Sequence, residues 1–217
     1  VTSAELQKIN GVVSSFSGSY VNNATGRVNN MKIATNSVNG TLLMPGEEFS
    51  YNKAIGKTTP ENGYQQAGAY VAGEVVQEYG GGVCNISTIL YRAAMRANLK
   101  SSLRYNHSMM VSYAEPSLDA TVYEGEIDYR FVNTYDFPIY IEGYMTSNTI
   151  VFNIYGNKES FGNNTYELVN EVIEKLDYTT EYVNDNTLAE GSRVTTVNGM
   201  AGYRSKAYLV TYSNGVE

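Results

Sequence analysis

Tryptophan is absent from this 217-residue chain, cysteine and histidine occur once each, and only 17% of the residues are charged. The single cysteine, Cys84, excludes an internal disulfide. That suits a cytosolic chain and equally a secreted one built without disulfides. One Cys and one His cannot complete a zinc site without two carboxylates, and no HxxxH pattern occurs, so no metal or other cofactor is expected. Lys and Arg number 15 against 22 Asp and Glu, a net charge of −7, and nowhere do they concentrate enough to neutralise phosphates. Nucleic acid is therefore not expected as a partner. No apolar run approaches the roughly 18–20 residues of a membrane span, and residue 1 does not open a signal peptide. These absences, with an ending at Asn214-Gly215-Val216-Glu217 just past a strand-like run, lead us to expect a piece of a longer protein.

What is present is a core-forming composition. Apolar residues make up 42%, and 20 Tyr and 6 Phe supply the aromatics. The length allows one large domain, or a medium one with a small companion. Residues 4–16 read as a short amphipathic helix weakened by Gly11, and 27–38 as a helix stopped by Asn39-Gly40. Residues 41–56 read as extended around a Pro-Gly turn, with Phe49 and Tyr51 on one face. Strand-like segments follow at 101–105, 109–113, 120–125, 127–133, 137–145 and 149–156, so residues 1–157 are predicted to be α+β with antiparallel strands. A polar, Asn/Gly-rich stretch at 157–164 is a linker candidate, and residues 165–217 read as a small all-β module. Some 50 residues rarely hold an independent core, so this module is expected to pack on its neighbour or to be ribbon-like.

The richest stretch is GGGVCNISTILYRAAMRANL, residues 80–99. Apolar residues at 86, 89, 90, 93, 94 and 97 follow helical spacing, with Arg92 and Arg96 on the other side. Cys84 therefore stands at the start of a helix, just past three glycines. A thiol is a useful nucleophile only as thiolate, and unpaired amides at a helix N-terminus lower its pKa. Gly80, Gly81 and Gly82 permit close backbone approach, and nearby amides can form an oxyanion hole. His107 lies 23 residues on, at a distance that lets a returning segment bring it beside the helix start. Such a Cys–His pair suits acyl transfer; the competing reading is an inert buried thiol, a tight glycine turn and a surface histidine. A phosphate-binding loop is disfavoured because no Gly-Lys-Ser/Thr follows the glycines. Among Glu47, Glu48, Asp119, Glu124, Glu126 and Asp128, no spacing singles out a glycosidase pair.

Taken in order, LLMPGEEFSYNKAIG, ENGYQQAGAYVAGEVVQEYGGGVCNISTILYRAAMRANL, RYNHS, SLDATV, DYRFVN and PIYI resemble the VanW-domain family over about residues 4–156. Residues 165–217, through AEGSRVTTVNGMAGYRSKAYLVTYSNG, resemble more loosely the small extracellular β module named for its five glycines. The resemblance implies an extracellular envelope protein of Gram-positive bacteria with L,D-transpeptidase activity on peptidoglycan stem peptides. It makes Cys84 the nucleophile and His107 the base, with Asp119 the candidate third member. Gly82, Asn85 and Ser87 then support the nucleophile, Asn85 standing where the family pattern leads us to expect Gln. Arg104 is the candidate for holding the carboxylate of the departing D-Ala. The implied crosslink joins third-position diamino acids through a Cys acyl-enzyme. Rival readings are a non-catalytic wall-binding module, with Cys84 structural, and a cysteine peptidase or amidase in which water resolves the acyl-enzyme.

Overall fold

The computed structural model describes residues 1–21, 24–71 and 74–216; Asn22, Asn23, Ala72, Gly73 and Glu217 lie outside the described residues. The architecture is α+β with antiparallel sheets, as the strand patterning predicted. A four-residue helix, α1 (Ser3–Leu6), leads into β1 (Gly11–Ser19), α2 (Thr25–Val38), β2 (Thr41–Leu43), β3 (Glu48–Ser50) and α3 (Tyr51–Ile55). A hairpin of β4 (Gln66–Val71) and β5 (Glu74–Tyr79) precedes α4 (Val83–Arg96). Then come β6 (Lys100–Leu103), β7 (Arg130–Val132), β8 (Ile139–Met145), β9 (Thr149–Gly156), α5 (Lys158–Phe161), β10 (Asn164–Leu176) and β11 (Gly202–Ser213).

The expected helix over 4–16 is corrected: only Ser3–Leu6 is helical, and Gly11–Ser19 is a strand. β-Branched Val12 and Val13 tolerate extended backbone well, and β9 offers a full antiparallel partner, Phe16 facing Phe152. Segments 109–113 and 120–125 are not strands either. They form a looping connection, fixed by isolated bridges such as Tyr105 to Thr121, that lets side chains turn into a cleft. Phe49 and Tyr51 are both buried, but Tyr51 opens α3 rather than continuing a strand.

Strands β1-β9-β8-β2 form the main sheet, and β3-β7-β6 form a second. Alternate β9 residues Ile150, Phe152 and Ile154 are fully buried, as are Ile139 and Ile141 of β8. Against this face packs α4, whose Ile86, Ile89, Leu90, Ala93 and Ala94 form the buried stripe that the spacing predicted. α2 runs from Thr25 to Val38 and stops at Asn39, also as read.

β10 and β11 pair with each other and do not extend the main sheet. The 157–164 stretch is more than a linker: Phe161 of α5 packs on the rings of Tyr135 and Tyr166. Leu168 of β10 is buried in the common core, and Glu167 is ion-paired with Arg96 at 2.7 Å. Between β10 and β11, residues 177–201 carry turns and irregular backbone instead of the strands their composition suggested. Among the described residues no helix is long and apolar enough to cross a membrane.

Candidate active site

The glycine turn is built for close packing. Gly80 and Gly82 have φ of +85° and +111°, conformations that L side chains rarely adopt. At Gly81 a Cβ would come within 2.5 Å of the Ala67 carbonyl oxygen. Asn30 of α2 holds the turn in place, donating to the Gly81 carbonyl at 3.0 Å, while the buried Tyr51 hydroxyl donates to the Val83 carbonyl at 2.9 Å. Cys84 is consequently presented as the second residue of α4, partly exposed. The amides of Val83 and Asn85 are used by the carbonyls of Gly80 and Gly82, whereas that of Cys84 has no acceptor among the described residues.

A strap from the 104–123 connection brings the other groups to this helix start. Ser87 donates to the Ala120 carbonyl at 2.6 Å, and the Ala120 amide donates to Thr88 at 3.1 Å. With Ala120 pinned to α4, the next residues reach the thiol: Cys84 Sγ lies 3.3 Å from the Val122 carbonyl oxygen and 3.8 Å from Thr121 Oγ1. Asp119, the residue before, is buried and receives two bonds from one histidine. The His107 amide donates to Oδ2 at 2.6 Å, and His107 Nδ1 lies 2.5 Å from the same oxygen. That contact assigns the Nδ1 proton and turns Nε2 toward the thiol and Tyr113, whose hydroxyl lies 3.2 Å from Nε2.

The electrostatics follow from this series. Burial pushes the His107 pKa down, but the hydrogen bond to Asp119, and that to Cys84, override it and raise the group to about 9. Burial likewise pushes the Cys84 thiol up, yet hydrogen bonding and the charge of His107 bring it below its ordinary value. Asp119 is pushed up by burial and held down by His107 and Arg104, ending below the usual carboxylate range. Thiolate, imidazolium and carboxylate thus favour one another's charged forms.

The structure brings Cys84, His107, Asp119, Gly82 and Asn85 together and sets two predicted residues elsewhere. Arg104 is not a cleft residue: its Nε and Nη2 donate to the carbonyls of Asp119 and Ser117 at 2.7 Å, and Nη2 also reaches Asp119 Oδ1 at 3.3 Å. The guanidinium is clamped behind the carboxylate and positions Asp119. Ser87 is fully buried, so it bears on Cys84 only by fastening the strap. Asn85 lines the cleft, is buried, and keeps its side-chain oxygen unpaired among the described residues. The other acidic candidates hold loops. Glu47 accepts from the Met44 amide, Glu48 from Ser102, and Glu124 from the Thr58 amide. Asp128 accepts from Ser50, the Asn52 amide and Arg130. For Glu126 the structure shows no comparable role.

Cys84 and His107 open into a cleft of about 1860 Å³, whose walls include the glycine turn, Arg27, Tyr79, Tyr113, Tyr123 and Glu124. Asn170, Val172 and Tyr203 of the β10–β11 hairpin line the same space. Among the described residues no three His, Cys, Asp or Glu side chains gather as a metal site.

A model of the family described as VanW like protein matches residues 26–155, more than half of the chain, and Cys84, His107 and Asp119 lie inside that match. The chain belongs to the VanW-like family. A G5 domain model matches residues 167–217. The VanW-like relatives include the uncharacterized protein YoaR of Bacillus subtilis, 34% identical over 131 residues that make up 60% of this chain and 43% of YoaR. The vancomycin B-type resistance protein VanW of Enterococcus faecalis is 27% identical over 139 residues, 61% of this chain and 50% of that protein. The match thus spans about half the length of these curated relatives. No solved structure matches.

Tyr113 and Val122 escaped the sequence reading. Neither carries a spacing signal, because each reaches the site through an irregular connection that only the folded strap defines.

Proposed function

We propose that this VanW-like chain is a peptidoglycan L,D-transpeptidase working through a Cys84 acyl-enzyme on the outer side of the cell membrane. The observation that carries the reading is the series Asp119–His107–Cys84: a lone imidazole, oriented by a buried carboxylate, beside a lone thiol at a helix start, all opening into one cleft. Charge balance in the resting site favours thiolate and imidazolium, so the nucleophile needs no separate activation.

In the first half-reaction the thiolate attacks the carbonyl that links the L-centre of a third-position diamino acid to the terminal D-Ala of a tetrapeptide. The developing oxyanion takes the Cys84 amide as donor, the Asn85 side chain lying beside it. His107 Nε2 gives its proton to the departing D-Ala nitrogen. In the second half-reaction the side-chain amine of another stem peptide loses a proton to His107 and attacks the thioester, releasing Cys84 and joining two third-position residues. Asp119 and Arg104 stay fixed behind the imidazole throughout. Residues 1–157 serve as the catalytic unit and residues 165–217 as a small β module docked on it, supported by the separate G5 match and by the hairpin's own sheet.

Incubation with a disaccharide-tetrapeptide, followed by mass analysis, tests the reading. Crosslinked dimers are expected, and Cys84→Ala and Cys84→Ser should both drop to background, since a serine hydroxyl stays unionised in this setting. Shortened monomers without dimers would point to hydrolysis. Dimer formation by Cys84→Ala at the parent rate would refute the mechanism.

A further inference from the structure

Arg92, Arg96, Arg104, Arg130 and Arg204 each hold a carboxylate, and Arg193 lies over the ring of Tyr182. Arg27 does neither. It stands in the first turn of α2, half-buried, and lines the cleft that holds Cys84. Its stem runs beneath the glycine turn, close enough that a Cβ on Gly82 would come within 2.9 Å of Arg27 Cγ. The one bond its guanidinium makes among the described residues is a long one, from Nη1 to the Gly68 carbonyl at 3.3 Å. A guanidinium carries five N–H donors in a planar fork suited to a carboxylate, so most of its donor capacity is unspent. No carboxylate among the described residues is paired with it, so its donors are left for an anion that enters the cleft.

The position fits one part of the donor. Gly82, against which the Arg27 stem packs, is two residues before the nucleophile. In a peptide ending in D-Ala, the terminal carboxylate belongs to the residue just past the scissile carbonyl, about 3.8 Å along the chain. The other cationic groups nearby are committed: Arg92 to Glu115 at 3.1 Å, and His107 to Asp119. We infer that Arg27 binds the terminal carboxylate of the peptide donor and thereby seats its penultimate carbonyl on Cys84. This rests on the acyl-transfer reading above, and it gives to Arg27 the task that the sequence had suggested for Arg104.

The test separates binding from turnover. The Cys84→Ala protein, which cannot form an acyl-enzyme, is titrated calorimetrically with an N-acylated tetrapeptide ending in D-Ala and with the same peptide as its C-terminal amide. The acid should bind about 10- to 100-fold more tightly, the range for a hydrogen-bonded charged partner. A second change, Arg27→Met, keeps the stem under Gly82 and should erase that preference, while Arg27→Lys should keep part of it. Equal affinity for acid and amide, no binding of either, or a preference that survives Arg27→Met would each overturn the inference. With Cys84 intact, D-Ala release that is unaffected by Arg27→Met would also overturn it and leave acyl transfer standing. An Arg27-dependent preference for the acid in a protein that releases no D-Ala would support the carboxylate site and count against acyl transfer.

Discussion

Replacing Asp119 by Asn tests the charge series without any assumption about substrate. Asn keeps the shape, and its carbonyl oxygen can still accept from the His107 amide and Nδ1, but the negative charge is gone and its NH₂ group must face the donors of Arg104. His107 is 8% exposed at its side chain, so little solvent screens the loss. A hydrogen bond to a charged partner contributes about 1.5–3 kcal/mol, and one pKa unit corresponds to about 1.4 kcal/mol. The imidazolium, raised to about 9 in the parent, should therefore drop by roughly one to two units. Cys84, held down chiefly by His107 against its burial, should rise in response. The assay is the rate of Cys84 alkylation by iodoacetamide against pH, read by mass spectrometry. The parent should react as a thiolate below the ordinary thiol range, and Asp119→Asn should be slower near neutral pH by about tenfold or more. An unchanged profile would refute the coupling. Stability gives a second reading of the same linkage. Because the folded His107 pKa lies above its unfolded value of 6.5, its contribution is fully present below pH 6.5 and is lost as pH rises through about 9. Asp119→Asn should shrink that alkaline loss.

Tyr113→Phe keeps the ring beside His107 but removes the hydroxyl that lies 3.2 Å from Nε2. As an acceptor that hydroxyl favours the imidazolium, so the alkaline limb of activity should move down by about half a unit to one unit; an upward shift would contradict this role. Gly81→Ala forces a Cβ against the Ala67 backbone oxygen, within 2.5 Å of it. We expect a loss of about 1–3 kcal/mol, typical of overpacking, read as a lowered Tm in thermal unfolding, and an unchanged Tm would show that the turn yields more easily than its packing implies.

The parts of the fold legible in the sequence are those whose signal is local and repeated. α4 announces itself because Ile86, Ile89, Leu90, Ala93 and Ala94 recur at the helical period and end up buried on one face. β9 is legible for the same reason at period two, with Ile150, Phe152 and Ile154 all turned inward. β1 misled because Gly11–Ser19 is mostly small and polar, and its extended state is decided by pairing with β9, far along the chain. Segments 109–113 and 120–125 misled in the opposite way. Their β-branched and aromatic residues suit strands, but Ser87 and Thr88 pin Ala120 to α4 and hold that stretch out of any ladder.

The same division holds at the site, and it bears on what positions the chemistry. Cys84 was legible because helix start and glycine turn are both written in contiguous residues, and His107 because it has no competitor. The task of Arg104 was not, since its guanidinium is directed by the Asp119 and Ser117 carbonyls, and their placement depends on the turn at Ser117, whose φ is +71°. The hydroxyl of that same Ser117 meets Ser205 of β11 at 2.5 Å. The clamp behind the Asp119 carboxylate and the docked hairpin therefore meet at Ser117, as the cleft and the hairpin share Asn170, Val172 and Tyr203. A module that contributes both to the wall of the cleft and to the fixing of the strap behind it is part of the site's geometry, and not merely a tether for it.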